Sequence, residues 1–149
     1  MRLELRVNGE QHAVDARPDE SLLTVLRRDL GLASVRETCG IGVCGVCTVL
    51  VDGLPMSACL LLAPLVEGRE VTTVEGLEQD PVQEAFAAAH AFQCGYCTPG
   101  MVLTARRLLQ ENASPSEEEI RLALAGNLCR CGSYVKIVEA VRRAAERQG

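Results

Sequence analysis

The sequence predicts an α+β fold in which a small strand-rich half precedes an all-helical half. Three observations carry this expectation. Leu3, Leu5 and Val7 alternate with charged residues, the pattern of a half-buried strand. Two turn dipeptides, Asn8-Gly9 and Asp52-Gly53, punctuate the first half. From Pro81 onward the apolar spacing becomes helical, with Val82, Ala85, Phe86 and Ala89 on one face. The expected units are residues 1–77 and 81–149, with the boundary between Leu77 and Asp80.

Taken in order, Leu3 to Val7 is a first strand, and His12 to Ala16 returns as the second after the Asn8-Gly9 turn. Pro18-Asp19-Glu20 is expected to open a helix whose face is Leu22, Leu23, Leu26 and Leu30, with Gly31 as its stop. Thr48 to Val51 is β-rich and turns at Asp52-Gly53 into a return from Met56. Val71 to Val74 supplies a further strand. A small sheet crossed by one helix follows. In the second half, Val102, Ala105, Leu108 and Leu109 form a second helical stripe. Ser114-Pro115-Ser116-Glu117 reads as a capping box with proline at the first helical position, introducing a helix through Ile120 and Leu124. Ile137, Val138, Val141 and Ala145 form a fourth stripe, so four short helices are expected to pack as a bundle. Glu117-Glu118-Glu119 is a charged first turn that favours the helix dipole.

The chain has 149 residues. Split in two, it leaves each half a marginal core that commonly takes a metal or disulfide staple. A net charge of -5 and 3% aromatic residues remove the basic surface and stacking platforms of a nucleic-acid binder. A hydrophobic content of 48% argues against disorder. No apolar run is long enough to span a membrane. The alternating N-terminus lacks the continuous apolar segment of a secretory signal. Arg27-Arg28 lies inside a helical pattern and does not read as a twin-arginine signal. The expected location is cytoplasmic.

Eight cysteines are then anomalous, because a reducing compartment disfavours a disulfide framework and points to metal or catalysis. Cys39, Cys44, Cys47 and Cys59 run C-x4-C-x2-C-x11-C, and the opening of that run is the plant-type [2Fe–2S] spacing. Gly40, Gly42 and Gly45 allow the loop to curl and turn backbone N–H groups toward sulfur. They also spell G-x-G-x-x-G, but a dinucleotide site needs a helix next, and a strand-like Thr48 to Val51 follows. Cys94, Cys97, Cys129 and Cys131 run C-x2-C-x31-C-x1-C at two helix junctions, with Gly95, Gly100, Gly126 and Gly132 loosening the turns. Two junctions at one end of a helix bundle can bring four sulfurs together. The alternatives are two four-cysteine zinc sites, which prefer paired C-x2-C knuckles, and a thioredoxin-like Cys94-Gly95-Tyr96-Cys97, which needs a βαβ setting. His12 and His90 could serve as Rieske-type ligands, although eight thiolates are already in place; both read as surface or packing residues.

Three stretches carry a family resemblance: Cys39-Gly40-Ile41-Gly42-Val43-Cys44-Gly45-Val46-Cys47-Thr48-Val49, Gln93-Cys94-Gly95-Tyr96-Cys97-Thr98-Pro99-Gly100-Met101 and Gly126-Asn127-Leu128-Cys129-Arg130-Cys131. Val7-Asn8-Gly9 and Glu75-Gly76-Leu77 match as well. Over essentially its whole length the chain resembles the small iron–sulfur subunit of the xanthine oxidase family of molybdenum hydroxylases. The resemblance implies an N-terminal β-grasp, plant-ferredoxin-like domain with one [2Fe–2S] cluster on Cys39, Cys44, Cys47 and Cys59. It implies a C-terminal four-helix bundle with a second on Cys94, Cys97, Cys129 and Cys131. It further implies a large partner subunit with a molybdenum–pterin cofactor of the molybdopterin cytosine dinucleotide type, and a medium FAD subunit or another acceptor. Gln93 and Cys131 match positions near that pterin, and no catalytic acid or base is expected on this chain. The sequence departs from the family pattern at Thr38, where glycine is usual, and at Gly132-Ser133, where threonine-glycine is common.

Overall fold

The computed structural model describes residues 1–148. Strands β1 (Arg2–Val7) and β2 (Glu10–Asp15) form a hairpin in which Leu3, Leu5 and Val7 point inward. Its turn holds Asn8 at φ 52° and Gly9 at φ 82°, the left-handed pair that a two-residue hairpin favours. Strands β3 (Thr48–Val51) and β4 (Leu54–Ser57) form a second hairpin around Asp52 and Gly53, again with positive φ at both. Strand β5 (Glu70–Thr72) runs between the hairpins, parallel to β1 and antiparallel to β3. The mixed sheet therefore has the order β2-β1-β5-β3-β4.

Helix α1 (Leu22–Arg28) crosses the sheet and buries Leu22, Leu23, Val25 and Leu26. Its start differs from the sequence expectation. Ser21 is the cap, accepting from the Thr24 amide, and Pro18-Asp19-Glu20 forms the approach. Glu20 cannot serve as a solvated first-turn carboxylate, because it is buried and accepts from the Arg17 amide and the Arg28 guanidinium.

The second half contains α2 (Pro81–Ala88), α3 (Thr98–Glu111), α4 (Glu117–Ala123) and α5 (Tyr134–Gln148). Asp80 caps α2, accepting from the Val82 and Gln83 amides, and its other oxygen receives Arg106 Nε of α3 at 2.9 Å. The capping box of α4 lies two residues later than expected, on Ser116 and Glu119. Ser114-x-x-Glu117 has the right spacing, but the Ser114 amide is taken by Asn112 Oδ1 in a preceding turn, and Pro115 lies outside the helix. The buried apolar residues form two clusters, one under the sheet around Leu3, Leu26 and Val49 and one among the helices around Phe86, Met101 and Ile137.

The Val7-Asn8-Gly9 and Glu75-Gly76-Leu77 motifs meet in space. Asn8 Oδ1 accepts from the Thr73 amide at 2.8 Å, and the Asn8 side chain stands where any Cβ at Gly76 would go. Glu75 then accepts from the Ser34 amide at 3.0 Å, from the Ser34 hydroxyl and from the Thr73 hydroxyl at 2.7 Å. This ties the segment before Cys39 to the exit of β5. Partial burial pushes the Glu75 carboxyl up, but the Ser34 and Thr73 donors outweigh it and hold it below the ordinary glutamate value. A carboxyl depressed in the folded state contributes stability above its unfolded value and loses it as pH falls through the folded value. Glu75→Gln is therefore expected to lower stability by about 1 kcal/mol at pH 7, measured by urea unfolding. The gap between wild type and variant should close as pH drops below 4.5, the ordinary glutamate value.

Candidate functional site

The loop from Val35 to Cys47 joins α1 to β3 and carries three cysteines. It turns at Gly40, Gly42 and Gly45, all with φ between 65° and 74°. That curl aims the Ile41 and Val43 amides at Cys39 Sγ, at 3.5 and 3.4 Å. The Ala58 amide donates to the Cys47 carbonyl, which brings Cys59, just past β4, beside Cys47. The thiols of Cys39 and Cys44 neighbour one another, as do those of Cys47 and Cys59.

The second set sits where α2 hands over to α3 and α4 to α5. Gly95 and Gly132 adopt φ 76° and 79° in the two loops. The Tyr96 amide donates to Cys94 Sγ at 3.5 Å and the Ser133 amide to Cys129 Sγ at 3.4 Å. The pairs are Cys94 with Cys131, both exposed, and Cys97 with Cys129, both buried. Thr38, Cys44, Val46, Cys94, Tyr96, Cys97, Leu128, Cys129, Arg130 and Tyr134 line one recess of about 440 Å³, with mainly apolar walls.

The donor chemistry fits a bridged di-iron group. All eight cysteines are free thiols, and backbone N–H groups face sulfur in both sets. A tetrahedral zinc site needs four ligands around one ion, whereas two bridged irons take two thiolates each. Neither histidine stands with these sets. His90 is exposed with φ 49° at the end of α2, and His12 lies on β2. The G-x-G-x-x-G glycines lead into β3, not into a helix.

The thiols differ in acidity. Amides of Ile41, Cys44 and Val43 pull Cys39 down to about 6, while burial pushes Cys47 to about 11 and Cys97 to about 12. In metal-free protein at pH 7.5, iodoacetamide is therefore expected to alkylate Cys39 well before Cys47 or Cys97, because the thiolate is the reactive form. Peptide mass spectrometry over a time course reads the order.

Sequence reasoning did not find how the two loops interlock. The Leu128 amide donates to the Cys44 carbonyl at 2.8 Å. Buried Asn127 donates to the Gly45 carbonyl at 3.1 Å, which also accepts from the Thr48 hydroxyl at 2.7 Å. Gly100, read as a turn residue, is inside α3 and lies against the Gly45 carbonyl, where a Cβ would collide. Gly126 has a negative φ and open space around it, so its role is not that of a tight turn. Gln93 is exposed next to exposed Cys94, and Cys131 is exposed as well. Of the two departures from the family pattern, Thr38 lines the recess, and the Gly132-Ser133 amide still reaches Cys129.

Two family models account for most of the chain. A 2Fe-2S iron-sulfur cluster binding domain matches residues 5–73, and a [2Fe-2S] binding domain matches residues 73–142. The nicotinate dehydrogenase small FeS subunit of Eubacterium barkeri is 47% identical over 149 residues, covering 97% of this chain and 95% of its own. The chain is a small iron–sulfur subunit of the xanthine oxidase family of molybdenum hydroxylases. Within this family, the structure of quinoline 2-oxidoreductase from Pseudomonas putida 86 matches with a TM-score of 0.95 at 43% identity, covering 100% of this chain and 97% of that one. The aldehyde oxidoreductase of Desulfovibrio desulfuricans ATCC 27774 matches with a TM-score of 0.94 at 40% identity, covering 99% of this chain but 17% of that one. As in these relatives, a ferredoxin-like [2Fe–2S] domain precedes a helical one, and the chain is part of an oxidoreductase. Among the described residues, no helix is long and apolar enough to cross a membrane.

Proposed function

We propose that this chain is the electron relay of a molybdenum hydroxylase. Cys39, Cys44, Cys47 and Cys59 hold one [2Fe–2S] cluster in a β-grasp domain spanning residues 1–77. Cys94, Cys97, Cys129 and Cys131 hold a second in a four-helix bundle spanning residues 81–149. Each cluster exchanges one electron at a time, so two in series divide a two-electron substrate oxidation into single steps.

The observation that carries this reading is the contact between the two cysteine loops. Cys94 and Cys131 reach the surface beside Gln93, and Cys97 and Cys129 lie inward. From Cys129 the backbone leads through Leu128 and one hydrogen bond to Cys44, a ligand of the other set. Cys44 packs in the helical core while Cys47 packs in the sheet core. A continuous covalent and hydrogen-bonded path thus joins an exposed entry to the far loop. Gln93 and Cys131 face the pterin of a large molybdenum subunit carrying molybdopterin cytosine dinucleotide. The Cys39 loop faces FAD on a medium subunit or another acceptor. The residues of this chain place the two centres and tune them through N–H···S bonds, charge and exposure, and metal binding contributes folding energy to two small cores.

Native purification of the tagged chain tests the complex. The expected result is a large molybdenum-containing subunit at equal stoichiometry and, on addition of substrate, bleaching of the visible absorption. The relatives named above include a nicotinate dehydrogenase and a quinoline 2-oxidoreductase, so nitrogen heterocycles are the substrates to offer first. Recovery of a monomeric chain holding zinc and no sulfide would support an interaction module instead.

A further inference from the structure

Arg36 stands three residues before Cys39, yet its hydrogen-bond partners belong to the other half of the chain. Its Nη1 donates to the Gly95 carbonyl at 2.6 Å and the Tyr96 carbonyl at 2.9 Å. The guanidinium carbon lies 5.1 Å from the centre of the Tyr96 ring. The Tyr96 hydroxyl returns the contact by donating to the Glu37 carbonyl at 2.8 Å. Among the described residues, no carboxylate pairs with Arg36, so its charge stays unneutralised beside the Cys94–Cys97 loop.

The peptide between Gly95 and Tyr96 links this cation to a sulfur. In a trans peptide the C=O and N–H point in opposite directions. The carbonyl of this unit accepts from Arg36, and its N–H, on Tyr96, points at Cys94 Sγ. Holding the oxygen fixes the aim of the N–H, and a cation on the oxygen makes that N–H a better donor. Arginine remains charged throughout the accessible pH range.

We propose that Arg36 is a positioning residue for the Cys94–Cys97–Cys129–Cys131 centre, a cation lent by the N-terminal half that raises that centre's reduction potential. The inference rests on the reading that this centre holds a [2Fe–2S] cluster. Reduction adds one negative charge to a group already ligated by four thiolates. A nearby cation and an aimed N–H···S bond both favour the reduced state. The ferredoxin-like half therefore sets the potential of a centre that it does not ligate.

The test is an EPR-monitored redox titration of the intact complex, with the two signals assigned through a Cys59→Ser variant. In Arg36→Met the potential of the C-terminal centre is expected to fall by about 59 mV, a tenfold change in its reduced-to-oxidised ratio for one electron. The N-terminal centre should move far less. Arg36→Lys keeps the charge but loses the planar guanidinium that lies over the Tyr96 ring and sets Nη1 between the two carbonyls, and its potential should lie between wild type and Arg36→Met. Both potentials unmoved with intact spectra would overturn the proposal, as would an equal shift of both centres. If Arg36→Met loses the C-terminal centre, Arg36→Lys decides: a lowered potential supports the role and an unchanged one overturns it. A wild-type complex with no pair of reducible iron–sulfur signals would remove the underlying reading itself, whereas intact signals with unmoved potentials remove only this inference.

Discussion

Gly45→Ala is expected to be the most damaging single methyl that can be added to this chain. At φ 69° the backbone is left-handed, which costs alanine about 1 kcal/mol. The new Cβ would also strike the Gly126 carbonyl and lie 2.7 Å from Asn127 Nδ2 and 3.1 Å from Asn127 Cα. These atoms are backbone or a buried, hydrogen-bonded amide, so they cannot swing aside. Overpacking of this kind adds roughly 1–3 kcal/mol, for a total near 3 kcal/mol, or about 10 °C of melting temperature at this chain length. Gly68→Ala is the control, because Gly68 has φ 76° and nothing within 4 Å of its would-be Cβ. It should lose only the backbone component, about 1 kcal/mol. Thermal melts of the holoprotein give both values. The Gly45 variant should also show a changed magnetic interaction between the centres, since the collision separates the two cysteine loops. Equal melting losses in the two variants would mean that the interlock of the loops carries little energy.

Cys94→Ser and Cys59→Ser are expected to divide the electron-transfer function into its two halves. Serine keeps the size but replaces a soft thiolate with a hard, poorly acidic hydroxyl. Each variant should therefore lose or strongly alter one reducible signal and retain the other. With the proposed centres in series, either loss should reduce substrate-to-acceptor turnover by at least about 100-fold, more than the 10–100-fold typical of disturbing an outer-shell partner. An artificial dye separates a broken relay from lost substrate oxidation. If electrons enter at Cys94 and Cys131 and leave beyond Cys39, a dye that accepts at the molybdenum subunit should restore turnover in both variants. Turnover at wild-type level in Cys94→Ser, with the natural acceptor, would contradict the assignment of that thiol.

Much of this was legible in the residues. The strands were readable because one face of the sheet is buried and the other wet, so Leu3, Leu5 and Val7 alternate, and because Asn8-Gly9 and Asp52-Gly53 accept the positive φ of tight hairpins. The C-x4-C-x2-C run was readable as a candidate cluster loop because a bridged di-iron group constrains ligand spacing within a loop. Two helix starts were misplaced for local reasons. Ser114 and Ser116 each have a glutamate three residues on, and only the Asn112 turn decides between them. Pro18-Asp19-Glu20 has opening chemistry, but the partner that withdraws Glu20 is Arg28, a full helix away. The interlock was out of reach altogether. Gly45, Gly100 and Asn127 are far apart in the chain, and what makes them indispensable is that three backbones approach one another within contact distance. No local pattern records such an approach, and a glycine within a helix, such as Gly100, gives no sign of which neighbour it admits. Arg36 is similar, since its value depends on carbonyls 59 and 60 residues later.

If eight thiols hold two bridged iron pairs, iron, inorganic sulfide and spin content on one anaerobically purified, dithionite-reduced sample will show it. About four irons and about four sulfides per chain are expected, with two distinct EPR signals that together integrate to about two spins. A folded, colourless chain with no acid-labile sulfide, and with its thiols free to alkylate or binding zinc, would contradict it.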